Sequence, residues 1–179
     1  HERHEEAAMK EHTIIEHIRH GDVNALDTLI RQYYPQIYSY VYARVKHRDI
    51  AADITQEVFI RFTQHIDSYT FQGKTKQYLL RIAINQCNSW YAKYKEIALP
   101  DDLEIADEKT EDTYDRQRLI FYLNKLPDEQ KDVLLLKYFE QLKSKEIATL
   151  LNISESTVKT RVRLGLKKLK TYMKKEEWL

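Results

Sequence analysis

The chain has 179 residues, of which 32% are charged, and it contains only 3 glycines and 3 prolines. Because sheets use glycine and proline in their many turns, this composition argues against an all-β fold and favours helices. The formal net charge is +1, and the one cysteine, Cys87, excludes an internal disulfide.

No run of about 18 apolar residues occurs, so the sequence predicts no membrane span. The first twelve residues, HERHEEAAMKEH, are too polar for a signal peptide. A single thiol also fits a reducing compartment. These features predict a cytoplasmic protein.

The small net charge conceals an uneven distribution along the chain. Residues 74–95 contain five basic residues and no acidic one, and residues 141–175 contain ten basic residues against two acidic ones. Between them, residues 101–115 contain eight acidic residues and one lysine. This pattern indicates two basic modules separated by an acidic segment.

The first domain is predicted to be a bundle of four or five helices over residues 12–97. A short helix covers residues 13–20. A longer apolar stripe follows, which Pro35 interrupts and which continues beyond it to Val45. Asp49 is the predicted N-cap of the next helix. After the loop DSYTFQGK, a long helix covers residues 76–95.

Residues 98–113 are predicted to form a mobile acidic linker, since they contain no apolar stripe. A second helical domain then covers residues 114–179. Pro127 marks a helix start within it, because two acidic residues follow in the first turn. The predicted fold is therefore all-α, with two small helical domains.

The stretch LKSKEIATLLNISESTVKTRVRLGLKKLK, residues 142–170, has the spacing of a helix-turn-helix. Ser144 and Ser154 are the predicted N-caps of its two helices. Asn152 lies at the turn, where its tolerance of the left-handed conformation suits a helix end. In such motifs the second helix enters the major groove of DNA by its N-terminal end.

The polar side of that second helix is a candidate DNA-binding face. Its side chains can donate hydrogen bonds to phosphates and base edges. The predicted contacts are Glu155, Ser156, Thr157, Lys159, Thr160, Arg161 and Arg163. Lys167, Lys168 and Lys170 are better placed for phosphates. A merely solvated basic face is the alternative, but turn, cap and charge coincide here.

Three stretches resemble the ECF-type sigma factors of bacterial RNA polymerase. They are DITQEVFIRF from Asp53, YLLRIAINQC from Tyr78 and the segment LPDEQKDVLLLKYFEQLKSKEIATLLNISESTVKTRVRLGLKKL from Leu126. The resemblance covers nearly the whole chain. It implies a sigma-2 domain that binds the polymerase clamp and melts the minus-10 element, and a sigma-4 domain that reads the minus-35 element.

The implied partners are core RNA polymerase and promoter DNA, as duplex at minus-35 and as single strand at minus-10. An anti-sigma factor is a further partner that the family often has. The DITQEVF helix resembles the polymerase-binding surface of the family, and its polar side carries Asp53, Gln56, Glu57 and Arg61. A solvated helix face is the alternative. An active site at two carboxylates is disfavoured, since neither histidine nor a glycine-rich loop lies nearby.

Residues 69–95 resemble the region of the family that melts and reads the minus-10 element. Two loop aromatics are expected to contact an unstacked base, the cations to hold the separated strand, and Asn85 to read a base edge. The predicted minus-10 residues are Tyr69, Phe71, Lys74, Lys76, Arg81, Asn85, Trp90 and Lys93, with Lys95 as a further cation. The alternative for each aromatic is core packing, which is expected above all for Tyr78.

Several positions depart from the family pattern. Tyr78 stands where tryptophan is common, Ser89 where aspartate is common and Asn152 where glycine is common. The family's basic pair is represented only loosely by Lys93 and its neighbour at position 95. These departures leave the fold expectation intact, but they bear on promoter sequence and melting.

Two other classes of function stay open on the sequence alone. One is a two-domain transcriptional regulator, and the other is an enzyme of nucleic-acid metabolism. The second would need an acid cluster or metal ligands beside the basic face. His17 and His20 lack a third ligand in sequence, so no metal, cofactor or catalytic residue is predicted.

Overall fold

The computed structural model describes the backbone of residues 2–94 and 111–175, and the side chains of residues 10–94 and 118–174. Within these ranges it contains eight α-helices, one π-helical segment and no strand, which confirms the predicted all-α class. The chain divides into two compact units, His1–Asp101 and Asp102–Leu179. Most of the predicted linker, residues 98–113, lies outside the described residues.

The first unit consists of α1 (Glu2–Arg19), α2 (Val23–Val45), α3 (Arg48–Gln64) and α4 (Thr75–Tyr94). Each helix contributes one apolar face to a shared core. The fully buried side chains include Ile15 of α1, Val41 of α2, Phe62 of α3 and Leu79 of α4. This core holds α3 and α4 in place at either end of the loop that connects them.

Helix α2 runs through Pro35, where the sequence predicted an interruption. A proline inside a helix costs about 3 kcal/mol, because it removes one hydrogen bond and crowds the preceding turn. Leu29, Tyr33, Ile37 and Val41 are buried on both sides of it. Full burial of each such side chain contributes about 1.5–3 kcal/mol, so the shared apolar face outweighs the proline.

Two further expectations about helix ends in the first unit are wrong. Helix α1 begins well before residue 13, and Asp49 lies inside the first turn of α3. His47 is the N-cap of α3, and its Nδ1 accepts a hydrogen bond from the backbone N–H of Ile50 at 3.5 Å. A carboxylate in the first turn still favours the helix, because the N-terminus carries partial positive charge.

The second unit consists of α5 (Glu111–Asn124), α6 (Asp128–Leu134), a π-helical segment (Leu135–Phe139), α7 (Ser144–Leu151) and α8 (Glu155–Lys175). Helix α6 begins directly after Pro127, as predicted. The core of this unit contains Leu136, Ile147 and Val158, all of which are fully buried. In the part of the chain that the structure describes, no helix combines the length and the apolar character needed to cross a membrane.

The turn between α7 and α8 has the predicted geometry. Asn152 adopts the left-handed conformation, with φ 53° and ψ 48°. The backbone N–H of Ile153 donates to the carbonyl of Ala148 at 3.0 Å. The N–H of Thr157 donates to Oγ of Ser154 at 3.1 Å, which confirms the cap of α8. Asparagine therefore serves here where the family often has glycine.

Ser144 is not the N-cap of α7, because the helix already begins at this residue. The backbone N–H of Lys143 donates instead to the carboxylate of Glu146 at 2.8 Å. This contact satisfies one of the donors that every helix start leaves open.

Helix α8 packs against α6 at Gly165. A Cβ atom at this position would lie 3.0 Å from Cδ1 of Leu134 and 3.4 Å from Cβ of Gln130. The missing side chain thus permits close contact between the helices and offsets the poor helix propensity of glycine.

Candidate nucleic-acid and protein interfaces

The loop between α3 and α4 is held by its own backbone hydrogen bonds. The N–H groups of Ser68 and Tyr69 both donate to the carbonyl of His65 at 3.1 Å. Gly73, with φ 66°, turns the chain into α4. The loop is therefore a defined turn followed by a sharp bend.

Tyr69 is not an exposed loop aromatic, contrary to the prediction. Only 8% of it is exposed, and its ring packs against Phe62 and Tyr78, with centroid distances of 5.7 and 4.6 Å. Its hydroxyl lies 3.2 Å from Oγ1 of Thr75. Burial raises the pKa of Tyr69. The side chain is part of the core that supports the loop.

Above Tyr69 lies an open cleft with a volume of about 310 Å³. We call it the loop cleft; it is formed by the α3–α4 loop and the first turns of α4. Its lining is Ser68, Tyr69, Thr70, Gln72, Lys74, Gln77, Tyr78 and Arg81. This set combines aromatic surface, neutral hydrogen-bonding groups and two cations.

Only part of this lining was predicted from the sequence. The polar loop residues Ser68, Thr70 and Gln72, and Gln77 of α4, were missed as contributors to a site. They follow no periodic pattern, but several polar residues lie close to Lys74 in the sequence, and such a cluster could have indicated a binding site. Tyr78 is half-buried and lines the loop cleft as well as packing against Tyr69.

Phe71 lies outside the lining of the loop cleft. It is half-buried, and its ring meets the ring of His12 edge-on at a centroid distance of 5.3 Å. The two aromatics that the sequence groups together are therefore separated in role: one supports the core and the other packs against α1.

The remaining predicted minus-10 residues follow along α4. Arg81 and Asn85 are both exposed and lie four residues apart, so they share one face of the helix. Trp90 is half-buried and packs against Tyr91 and Tyr94, with centroid distances of 5.1 and 5.7 Å. Lys76 is half-buried, and Lys93 lies 5.3 Å from the centre of the Tyr94 ring. Lys95 lies outside the described residues.

Helix α3 presents a polar face to solvent that also contains one large apolar side chain. Asp53 and Gln56 are exposed on this face. Glu57 is partly exposed and pairs with Arg61 at 2.6 Å. Ile60 is 49% exposed on the same face. We call these five residues the α3 face. Ile60 was not predicted, although its position outside the apolar stripe is visible in the sequence.

Helix α8 buries Val158, Val162, Gly165 and Leu169 against the rest of its unit. The opposite side carries Ser156, Thr160, Arg163 and Lys167, all of which are exposed. Their spacing of three and four residues aligns them along the helix. We call these four residues the outer face of α8. It runs from the helix N-terminus into the basic run.

Three predicted contacts flank the outer face of α8. Lys159 is exposed and pairs with Glu155 at 3.0 Å, one helical turn earlier. Thr157 is half-buried beside the cap residue Ser154. Glu155 thus places a negative charge at the start of the helix, where the helix dipole favours it.

Arg161 points elsewhere than predicted. Its side chain is only 23% exposed, and Nη2 lies 3.1 Å from Oε2 of Glu129 in α6. The residue is one position before Val162 and lies beside the buried side of the helix. It therefore lies off the outer face of α8, where an acidic partner in a neighbouring helix holds it. Its contact with DNA stays a prediction.

Each of the two units matches a known protein family. Residues 29–96 match Sigma-70 region 2, and residues 116–169 match Sigma-70, region 4. The chain is 31% identical to the RNA polymerase sigma factor YlaC of Bacillus subtilis, over 89% of this chain and 99% of that protein. It belongs to the ECF RNA polymerase sigma factor family. The partners of this sigma factor are accordingly RNA polymerase and promoter DNA.

A further relative agrees with this assignment, and two solved structures share the fold. The ECF sigma factor SigW of Bacillus subtilis is 30% identical over 89% of this chain and 95% of its own length. The fold is shared with CnrH in complex with the cytosolic domain of CnrY, at a TM-score of 0.72 and 16% identity, over 92% of this chain and 97% of CnrH. It is also shared with RpoE in complex with the anti-sigma factor NepR from Bartonella quintana. The TM-score is 0.72 and the identity 20%, over 85% of this chain and 98% of RpoE.

Family membership decides between the classes of function that the sequence left open. The family consists of transcription initiation factors, and an ordinary duplex-binding regulator is thereby excluded. Among the residues that the structure describes, no group of three or more His, Cys, Asp or Glu side chains could hold a metal ion.

Proposed function

We propose that this sigma factor directs initiation by reading two promoter elements and by helping to melt one of them. The outer face of α8 reads the minus-35 element as duplex. The loop cleft captures one base of the minus-10 element from the separated strand. The observation that carries this proposal is the loop cleft itself, because it joins aromatic surface, neutral polar groups and cations in one place.

Capture of a base must offset the cost of removing it from the duplex. Extrusion costs a few kcal/mol, and stacking on an aromatic side chain returns roughly 1–3 kcal/mol. Tyr78 offers such a surface in the loop cleft. Ser68, Thr70, Gln72 and Gln77 carry the donors and acceptors that distinguish one base edge from another. The aromatic surface of the cleft would therefore provide affinity for a base, and its polar groups would provide selectivity between bases.

The cations around the loop cleft would hold the strand that carries the captured base. Lys74 and Arg81 are exposed at its rim, and Lys76 and Lys93 follow along α4. Each can neutralise a phosphate of single-stranded DNA. Asn85, on the same exposed face as Arg81, would read the edge of a neighbouring base. Phe71, in the same loop, and Trp90, further along α4, would contribute stacking surface to the strand.

The outer face of α8 is suited to duplex DNA. Ser156 and Thr160, near the N-terminus of the helix, would approach base edges or phosphates, and Arg163 can bind guanine with two hydrogen bonds. Lys167 lies one turn further along and is placed for the backbone. The flanking residues Glu155, Thr157 and Lys159 would orient this face.

Alanine substitutions of Arg163 and of Lys167 are expected to have different effects on binding to the minus-35 element. Arg163→Ala should lose about 1–3 kcal/mol of discrimination at one or two base pairs of the minus-35 element. Lys167→Ala should weaken binding to every sequence and lower the slope of log affinity against log salt by about 0.9. Binding of holoenzyme to a minus-35 library at several salt concentrations measures both. A uniform loss in both variants would contradict the assignment of base reader and phosphate contact.

The α3 face is the proposed contact with the polymerase clamp. Its carboxylates, Asp53 and Glu57, and its amide, Gln56, suit a basic helical partner, and Ile60 adds exposed apolar area. Arg61 holds Glu57 in one orientation. Charges at the rim of such a contact steer association, and buried ones set its lifetime.

Glu57→Lys is expected to weaken the affinity of the chain for core RNA polymerase by about tenfold or more, because it sets a cation against a basic partner. A fluorescence titration of labelled chain with core polymerase measures this affinity. Asp27→Lys is the matched control, since Asp27 forms the same kind of ion pair with Arg31 on α2, at 2.7 Å. Equal affinities for Glu57→Lys and wild type would remove the α3 face from the contact.

An anti-sigma factor is a further proposed partner. Two proteins that share this fold are known as complexes, CnrH with the cytosolic domain of CnrY and RpoE with the anti-sigma factor NepR. We also propose a cytoplasmic location for this chain, since its partner RNA polymerase acts on promoter DNA there.

The test of the proposed function is run-off transcription with core RNA polymerase on a promoter library. Two randomised blocks, at minus-35 and at minus-10, report the bases that each element requires. The expected result is transcription that depends on the chain and shows base preference in both blocks. Preference in the minus-35 block alone would refute base capture by the loop cleft.

A further inference from the structure

Helix α1 contacts the α3–α4 loop across about 50 residues of sequence. The guanidinium of Arg19 donates from Nε to the carbonyl of Ile66 at 3.1 Å, and from Nη2 to the carbonyl of Tyr69. Its third nitrogen, Nη1, pairs with the carboxylate of Glu16, one turn earlier on α1. One planar side chain thus connects two carbonyls of the loop.

The base of this contact is rigid. Ile15 and Ile18 of α1 are buried in the core, so the backbone that carries Arg19 is fixed. Glu16 further restricts the side chain, which is 24% exposed. Ile66 and Tyr69, the residues whose carbonyls accept, are themselves buried. The contact therefore restrains the loop backbone relative to α1.

The restrained segment leads directly into the loop cleft. One of the two carbonyls that Arg19 binds belongs to Tyr69. Tyr69 and its sequence neighbours Ser68 and Thr70 all line the cleft. A second contact follows, since Phe71 meets the ring of His12, also on α1. Helix α1 precedes residues 29–96, which match Sigma-70 region 2, so Arg19 and His12 lie outside the matched segment and the loop residues that they contact lie inside it.

We infer that α1 is a brace that sets the shape of the α3–α4 loop, and that Arg19 is the positioning residue through which it acts on base selection at minus-10. The inference rests on the proposed base capture. Arg19 itself need not touch DNA. A loop free to move would still offer polar groups to a base, but in several geometries, and discrimination between bases would fall.

The test compares Arg19→Ala with wild type in the full chain, in two measurements. Hydrogen–deuterium exchange of peptides covering residues 66–72 should become about tenfold faster, because hydrogen bonds from a charged donor are lost. Holoenzyme transcription from the library randomised at minus-10 should show about fivefold to tenfold weaker base preference at one position. Arg31→Ala is the matched control, as an exposed arginine paired with Asp27 on α2, and should change neither.

Each result decides the inference. Exchange that stays at the wild-type rate overturns the brace, and faster exchange with unchanged base preference overturns the positioning role. If the wild-type holoenzyme shows no preference at minus-10, base capture itself fails and the inference falls with it. Should Arg19→Ala lose helicity by circular dichroism, Arg19→Lys replaces it. A lysine lacks the planar fork that spans both carbonyls, so it should show the same two changes at smaller size.

Discussion

Thr70→Trp is expected to slow open-complex formation roughly 5- to 150-fold on a duplex promoter. Thr70 is exposed and lines the loop cleft, so an indole at this position would occupy the space of the captured base. The loss corresponds to the roughly 1–3 kcal/mol that stacking of one base contributes. Permanganate footprinting of the minus-10 thymines over time measures the rate.

Two comparisons separate this effect from a structural one. A template whose minus-10 element is already mismatched should restore most of the rate, since the cost of extrusion has been removed. Thr28→Trp, on an exposed turn of α2, is the control for the introduction of a tryptophan and should behave as wild type. Reduced closed-complex binding by Thr70→Trp, or no rescue on the mismatched template, would show that the loop is structural and takes up no base.

Gly165→Leu is expected to destabilise the second unit by about 1–3 kcal/mol or more, because added volume in a packed helix crossing forces the helices apart. The first atoms of the new side chain would already lie 3.0 Å from Leu134, which is buried. For a unit of this size, 1 kcal/mol lowers the midpoint temperature by about 4–8 °C. Calorimetry of the full chain measures the shift, and binding of holoenzyme to the minus-35 element should decline with it.

The size of the substituent and its location provide the controls for Gly165. Gly165→Ala gains about 1 kcal/mol of helix propensity and meets the same contact with one methyl group, so a change close to zero is expected. Thr171→Leu adds a leucine to an exposed position of α8 and should leave the midpoint temperature unchanged. A midpoint for Gly165→Leu equal to that of wild type would show that α6 and α8 accommodate the side chain.

The sequence by itself determined the fold class, the helix-turn-helix and the family. These features depend on local spacing: an apolar residue every three or four positions, Ser154 as a cap, and Asn152 in a left-handed turn. Each is a short-range property of the chain, since a helix and its ends are stabilised by residues within one or two turns. Three motifs in the right order then identified the family.

Only the tertiary structure decided which side chains are available for contact. Periodicity does not report what covers a residue, so Tyr69, in a loop, was expected to be exposed but packs against Phe62 and Tyr78. Arg161 was expected on the exposed polar side of α8, but it is largely covered and pairs with Glu129 of another helix. Pro35 was expected to interrupt an apolar stripe, but core packing carries one helix through it. In each case the outcome depends on packing against other parts of the fold, which a local sequence pattern does not report.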